Sequence, residues 1–344
     1  MHLFSQILYA RDSVKHLYPE QPDRHYSVIT VGESTIDAFM TLAQPSSLHA
    51  DGEHGGVCFK LGDKIDVDKY DFSIGGNATN VAVGLTRLGV KSTLVSETGD
   101  DEFSIKIRNL LASEHIERLW VNQVSGVSNF AVIINYGGDR TIFVQDVERE
   151  HDFQFEDVTA DWVYITSLGR EWQEAYKRSV AFAQKNKSKI AFNPGSRQLR
   201  EGEETVKFVL KYTDTLFVNK EEGEHFIHGS KQKDSPNNQE YMEELMTKLT
   251  KLGPKMVVMT NGKHGSYVRD EAGKFYFQEM APGKVIERTG AGDGYASGFI
   301  AAMLHKAPMQ QAMHWGSVNA ASVVGHIGAQ AGLLNKEEME ELAK

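Results

Sequence analysis

One cysteine, Cys58, stands in 344 residues. No internal disulfide can form and no cysteine-based metal site can be built, which fits a reducing compartment. Excess positive charge is missing too: 37 Lys and Arg face 47 Asp and Glu, a net charge of −10. That balance leaves no electrostatic footprint for nucleic acid or an anionic membrane, although a local pocket can still take an anionic nucleotide. No apolar run approaches the ~20 residues that span a bilayer. Residues 1–24 lack the apolar stretch of a secretory signal. A cytoplasmic protein with small-molecule partners is the expectation. Several site signatures are absent as well. There is no G-x-x-x-x-G-K-[ST] loop, no protein-kinase motif set and no strand leading into G-x-G-x-x-G, so a dehydrogenase reading has no support. The 13 histidines show no H-E-x-x-H spacing, which speaks against zinc.

What is present is enough for a large core: 40% apolar residues, with an ordinary 24% charged. The length suits two average domains or one large α/β domain. Short β-rich runs at 27–32, 92–97, 162–166, 189–192, 215–218 and 256–260 alternate with helical patterns. The helices are expected at 77–88, 101–112, 171–185, 239–252, 291–304 and 309–324. This alternation predicts an α/β fold with a mostly parallel sheet and helices on both faces. Two regions break it. Residues 38–74 contain strand-like pieces (38–43, 57–61) around a Gly-rich loop. Residues 129–144 read as a hairpin turning at Tyr136-Gly137-Gly138-Asp139. These two are expected to pair into a small separate sheet. Leu3, Ile7, Leu8, Val14 and Leu17 could form one helical stripe, so residues 1–25 read as an extension packing on the domain or a partner. Residues 231–238 read as a polar surface loop.

The richest segment is Glu287-Arg288-Thr289-Gly290-Ala291-Gly292-Asp293-Gly294. Gly290 and Gly292 let the backbone bend and approach a ligand closely. The first N–H groups of the helix that follows point outward and carry partial positive charge, an arrangement that holds phosphate. Asp293 would repel that phosphate unless it is there to take a proton. The pairing reads as phosphoryl transfer to a hydroxyl. The plainer alternative is a Gly-rich turn with an acid in the first helical turn.

Residues 75–89 read Gly-Gly-Asn-Ala-Thr-Asn-Val-Ala-Val-Gly-Leu-Thr-Arg-Leu-Gly. The two segments, in this order and about 215 residues apart, resemble the paired signatures of the ribokinase-like (PfkB) carbohydrate kinase family. The resemblance spans roughly residues 26–334. It implies a three-layer sandwich with a β-sheet lid, formed here by about 38–74 and 129–144, through which members often dimerise. It also implies ATP, Mg²⁺ and, in some members, K⁺.

By this resemblance Asp293 is the general base, and the amides of Ala291, Gly292 and Asp293 after Gly290 form the anion hole. Glu287 stands where an acid helps bind a monovalent cation in some members. Arg288 departs from the pattern and puts cation dependence in doubt. Gly75, Gly76, Asn77, Asn80 and Asp37 would grip substrate hydroxyls; Asn77 alone could equally be a helix cap, and Asp37 a turn former. Asn219 and Glu222 in Asn219-Lys220-Glu221-Glu222 match an element that orders Mg²⁺ and its waters, the alternative being an acidic helix start. Thr260, Gly262 and Gly265 match a turn that passes along ATP, or a simple hairpin. Asn193 at a strand end and Asn319 near Gly328-Ala329-Gln330 are further nucleotide candidates. Tyr136 and Arg140 lie on the lid hairpin, as substrate contacts or surface residues. The implied activity is transfer of the γ-phosphoryl of ATP to a small sugar or sugar acid. The rivals are a nucleoside kinase and a catalytically idle relative. A Gly-Gly-Asn corner without the Lys seen in many members speaks against a sugar phosphate.

Overall fold

The computed structural model describes residues 24–42, 49–51, 56–136, 139–145, 147–229 and 235–344. The expected N-terminal stripe, the Gly137-Gly138 turn and residues 231–234 lie outside them.

The chain starts with β1 (His25–Val31), β2 (Thr35–Leu42), β3 (His49–Asp51), β4 (Gly56–Cys58) and β5 (Val67–Gly75). It continues through α1 (Asn77–Arg87), β6 (Ser92–Thr98), α2 (Glu102–Ser113), β7 (Val121–Gln123), β8 (Asn129–Tyr136) and β9 (Asp139–Val144). The middle holds β10 (Thr159–Thr166), α3 (Gln173–Asn186), β11 (Lys189–Asn193), α4 (Ser196–Glu201), α5 (Glu203–Leu210), β12 (Thr215–Asn219), α6 (Lys220–His228) and α7 (Gln239–Thr250). The last part holds β13 (Met256–Thr260), β14 (Ser266–Arg269), β15 (Phe275–Gln278), α8 (Ala291–Leu304), α9 (Met309–Val324) and α10 (Lys336–Leu342).

Nine strands form the central sheet in the order β15-β14-β13-β12-β11-β10-β1-β6-β7. All neighbours from β13 to β7 are parallel, and β14 and β15 add an antiparallel edge. Successive side chains on a strand point to opposite faces, and here both faces are covered. Ile190 and Phe192 join α3, α5 and α7 in one core. Ala191, between them, joins α1, α8 and α9 in the other. That two-sided burial is why these strands read as near-continuous apolar runs.

The two interrupting regions pair as expected. Strands β5-β2-β8-β9 form a separate four-stranded sheet, antiparallel except for β2 with β8. The expected strand at 57–61 shortens to β4, which pairs only with β3.

Small residues bring α1, α8 and α9 close together. A Cβ on Gly84 would lie 2.4 Å from Ser297 Oγ, and one on Gly298 would lie 2.6 Å from Trp315 O. This contact sets the N-termini of α1 and α8 side by side at the C-terminal end of the parallel strands, where ligands of open α/β sheets sit.

Candidate active site

Register places the polar strand ends in one row. Asn193 lies beside Thr166, and Asn219 beside Thr260. Above them is a cleft with two compartments. The polar one, about 320 Å³, is lined by Asn77, Asn193, Asn219, Glu222, Arg288 and Asp293, with Arg140 and the Gly290–Gly292 turn completing it. The apolar one, about 150 Å³, is lined by Gly262, Gly265, Met280, Ala320, Ala321 and Val324. Thr260, Ala291, Gly292 and Tyr295 line both, so the start of α8 divides the polar end from the apolar end.

Gly290 caps α8 at φ 80°, in the left-handed region, where a side chain would also meet Ala329 Cβ at 2.5 Å. A Cβ on Gly292 would meet nothing within 4 Å; that glycine keeps the cleft open rather than relieving a clash. Ala291 N donates to Arg288 O (3.3 Å) and Gly294 N to Gly290 O (2.8 Å). The amides of Gly292 and Asp293 therefore remain for an anion.

Asp293 is 5% exposed. Asn80 Nδ2 donates to its Oδ2 at 2.8 Å, and Gln330 Nε2 donates to Asn80 Oδ1 at 2.9 Å. The helix N-terminus and the Asn80 bond both favour the charged form. Burial outweighs them and, with Asp37 and Glu222 nearby, pushes the Asp293 carboxyl up to about 7. A carboxyl poised there changes protonation near neutral pH, the range in which such a group can accept a proton. Both ends of the Asn80 amide are engaged, so it holds Asp293 rather than facing the cleft.

Asp37 is buried and accepts a hydrogen bond from Thr35 Oγ1 at 2.8 Å. Burial pushes its carboxyl up to about 6. A Cβ on Gly75 would sit 2.1 Å from Asp37 Oδ2, so the first glycine makes room for this acid. Gly76 adopts φ 90° and caps α1 without a side-chain bond. Asn77, the first helical residue, is thus not the cap and lines the cleft.

The Asn219–Glu222 element is a helix start that also faces the cleft. Asn219 Oδ1 accepts from Glu222 N (2.8 Å), and Glu222 Oε2 accepts from Asn219 N (2.9 Å), a reciprocal capping box on α6. Both residues also line the cleft. Enclosure raises the Glu222 carboxyl to about 7. Thr260, Gly262 and Gly265 edge the apolar compartment, across a short 3₁₀ turn at Gly262–His264 that leads into β14. Asn193 Nδ2 donates to Phe217 O at 2.9 Å while the residue lines the polar compartment.

Asn319 has a different task from the one expected. It is 0% exposed; its Nδ2 donates to Gly294 O (2.9 Å) and Ser297 Oγ (3.2 Å), and its Oδ1 accepts from Leu334 N (3.0 Å). It ties α9 to α8 and lines neither compartment, because a polar residue buried between two helices must have its bonds satisfied there. Glu287 is also buried, with Oε1 accepting from Thr289 N (2.8 Å) and Oγ1 (2.6 Å). Sequence reasoning gave no role to Tyr295 or Thr35 and did not foresee that Gln330 steers Asn80. The only signal was a polar side chain on an otherwise apolar face.

A buried carboxylate thus lies beside helix-terminal amides in a cleft with a polar and an apolar compartment. The fold is shared with solved ribokinase-fold structures. Arabidopsis thaliana ribokinase complexed with ribose and ATP superposes at a TM-score of 0.75 with 19% identity, over 93% of this chain and 99% of that one. Methanocaldococcus jannaschii nucleoside kinase gives a TM-score of 0.72 with 22% identity, over 92% and 98%. Among curated relatives, an ATP-dependent 6-phosphofructokinase of Thermoanaerobacterium thermosaccharolyticum is 24% identical, covering 89% of this chain and 90% of its own length. A 5-dehydro-2-deoxygluconokinase of Clostridium perfringens is 25% identical, over 93% and 94%. The model of the pfkB family of carbohydrate kinases matches residues 51–336. The chain belongs to that family and is a phosphotransferase with an alcohol acceptor.

Proposed function

We propose that the chain transfers the γ-phosphoryl group of ATP to a hydroxyl of a small neutral sugar or sugar acid, with Asp293 as general base. The observation that carries this reading is the convergence of Asp293, Asn77 and the Gly290–Gly292 turn on one cleft. Asp293 removes the hydroxyl proton as the oxygen attacks the γ-phosphorus and the bond to the ADP oxygen breaks. The amides of Gly292 and Asp293 stabilise charge on the transferred group. The apolar compartment beyond Thr260 suits the adenine, and Asp37 the substrate hydroxyls. Glu222 and Asn219 would hold Mg²⁺ largely through water, a sparse set that fits this ion; bound there, it supplies neutralising charge to the phosphates.

A gluconate-type acceptor in the relative named 5-dehydro-2-deoxygluconokinase favours a sugar acid. The nucleoside kinase likeness supports the second reading, a nucleoside acceptor. A relative named for 6-phosphofructokinase keeps a sugar phosphate as a rival, against which stands the absence of a Lys at the Gly75-Gly76-Asn77 corner. The lid's outer face exposes Tyr70 (68%), Phe72 (55%) and Phe143 (55%), which supports a homodimer built on it. Among the described residues no helix is long and apolar enough to cross a membrane; with one cysteine and ATP as donor, we place the protein in the cytoplasm.

The test is ATP turnover against neutral sugars, sugar acids, sugar phosphates and nucleosides, with the product identified by mass. Phosphorylation of a sugar or sugar acid is expected. Turnover confined to nucleosides or sugar phosphates would replace the acceptor. Nucleotide binding with no turnover on any acceptor would overturn the kinase reading in favour of an idle relative.

A further inference from the structure

Arg140 reaches from the lid into the cleft. It lies on β9 opposite Asn135 and lines the polar compartment. Its Nε stands 3.5 Å from Glu287 Oε1, and the Glu287 side chain is 2% exposed. A carboxylate so enclosed needs a matching charge. Its Oε1 is already fixed by Thr289 N and Oγ1, on the loop that runs straight into the Gly290 turn. Glu287 therefore anchors the loop that leads into the Gly290 turn, and the Arg140 guanidinium faces it at ion-pair distance.

The resemblance implies an acid that helps bind a monovalent cation at this position. The residues here do not fit that ion. The charge of Glu287 is already opposed by Arg140, and Arg288 adds a second cation to the same cleft. A metal ion placed against Glu287 would meet the repulsion of a neighbouring guanidinium in a site with little water to screen it. Glu287 Oε2 is buried with no hydrogen bond, so charge rather than a full set of hydrogen bonds has to stabilise this carboxylate.

We propose that Arg140 is the resident cation of this site: delivered by the lid, it neutralises Glu287 in place of a monovalent metal ion and couples lid position to the loop bearing the anion hole. Arg140 acts through Glu287 and the loop, so it is a positioning residue. The activity arm of its test rests on the kinase reading; the melting arm does not.

The full chain, Arg140→Met and Arg140→Lys are compared in potassium chloride and in tetramethylammonium chloride at equal ionic strength. Turnover of the parent should agree within about twofold between the salts, whereas Arg140→Met should lose at least about tenfold in tetramethylammonium and recover much of it in K⁺. Arg140→Lys should stay K⁺-independent. In melting, without substrates, K⁺ should raise the Tm of Arg140→Met more than that of the parent. A parent activated about tenfold or more by K⁺ would overturn the proposal, as would an Arg140→Met protein equal to the parent in both salts by both readouts. If no acceptor is turned over, the kinase reading alone fails, and the melting comparison still decides between Arg140 and a metal ion.

Discussion

The central sheet and the lid are both strand-built, yet they spend their side chains differently. Along β11 of the central sheet, Ile190, Ala191 and Phe192 alternate between two closed cores and none is exposed. In the lid the same alternation separates two unlike faces. Phe72, Ala38, Val132 and Phe143 share one row, and Phe72 and Phe143 are more than half exposed. The rows on either side present the opposite face and carry Phe39, Ala131 and Ile133, which pack with Ile327, and the buried Asp37; the cleft residue Arg140 lies on that same face, two rows beyond Phe39. The sheet fixes positions by packing. The small sheet leaves much of one face exposed and brings Arg140 to the cleft, so stability and acceptor binding should be separable by mutation.

The largest expected contrast is in stability. Phe299→Ala empties a fully enclosed ring site between α8 and the sheet and should cost about 3–5 kcal/mol in urea unfolding. A comparable cost from Phe72→Ala in the lid would break the contrast. Next is Gly75→Ala, which sets a methyl against the Asp37 carboxylate. It should raise the acceptor KM or lower kcat by about 10²-fold while ATP affinity holds, measured by steady-state kinetics and nucleotide titration.

The pH dependence sharpens the comparison further. Asp293, Glu222 and Asp37 have folded-state values of about 7, 7 and 6, all above their unfolded values near 4. The native state therefore holds extra protons between about pH 4 and 7, and the stability they contribute is lost as pH rises through that window. Asp293→Asn should accordingly raise the Tm more at pH 8 than at pH 5. The kcat/KM of the parent should fall as pH drops below about 7, where the base becomes protonated. The smallest expected effect is Phe143→Asp on the lid's outer face. Its effect on unfolding should stay within about 0.5 kcal/mol per chain, with a loss of self-association in sedimentation.

The central sheet was legible because its physics is local. The expected bounds 256–260, 291–304 and 309–324 coincide with β13, α8 and α9, where glycines or Pro308 border strong apolar periods. Helices α4 and α5 escaped because Arg197, Arg200, Glu201, Glu203 and Glu204 crowd out a clear apolar stripe. The motif glycines marked the cleft, since close approach and positive φ leave a trace in residue type. The support behind the motif left none. Asn80 and Asn319 are chemically identical candidates in apolar helices. One bonds Asp293 and the other ties α8 to α9, and only tertiary packing decides which. Arg140 is similar: a hairpin arginine is ordinary until register turns it toward Glu287.

The central claim is that a single carboxylate performs the proton transfer while backbone amides hold the phosphoryl group. Its most direct test is single-turnover kinetics of Asp293→Asn with the acceptor found, beside the dissociation constant for ATP. The account predicts a chemical step slowed by at least about 10²-fold with ATP affinity nearly unchanged. A variant that transfers phosphate as fast as the parent would contradict it.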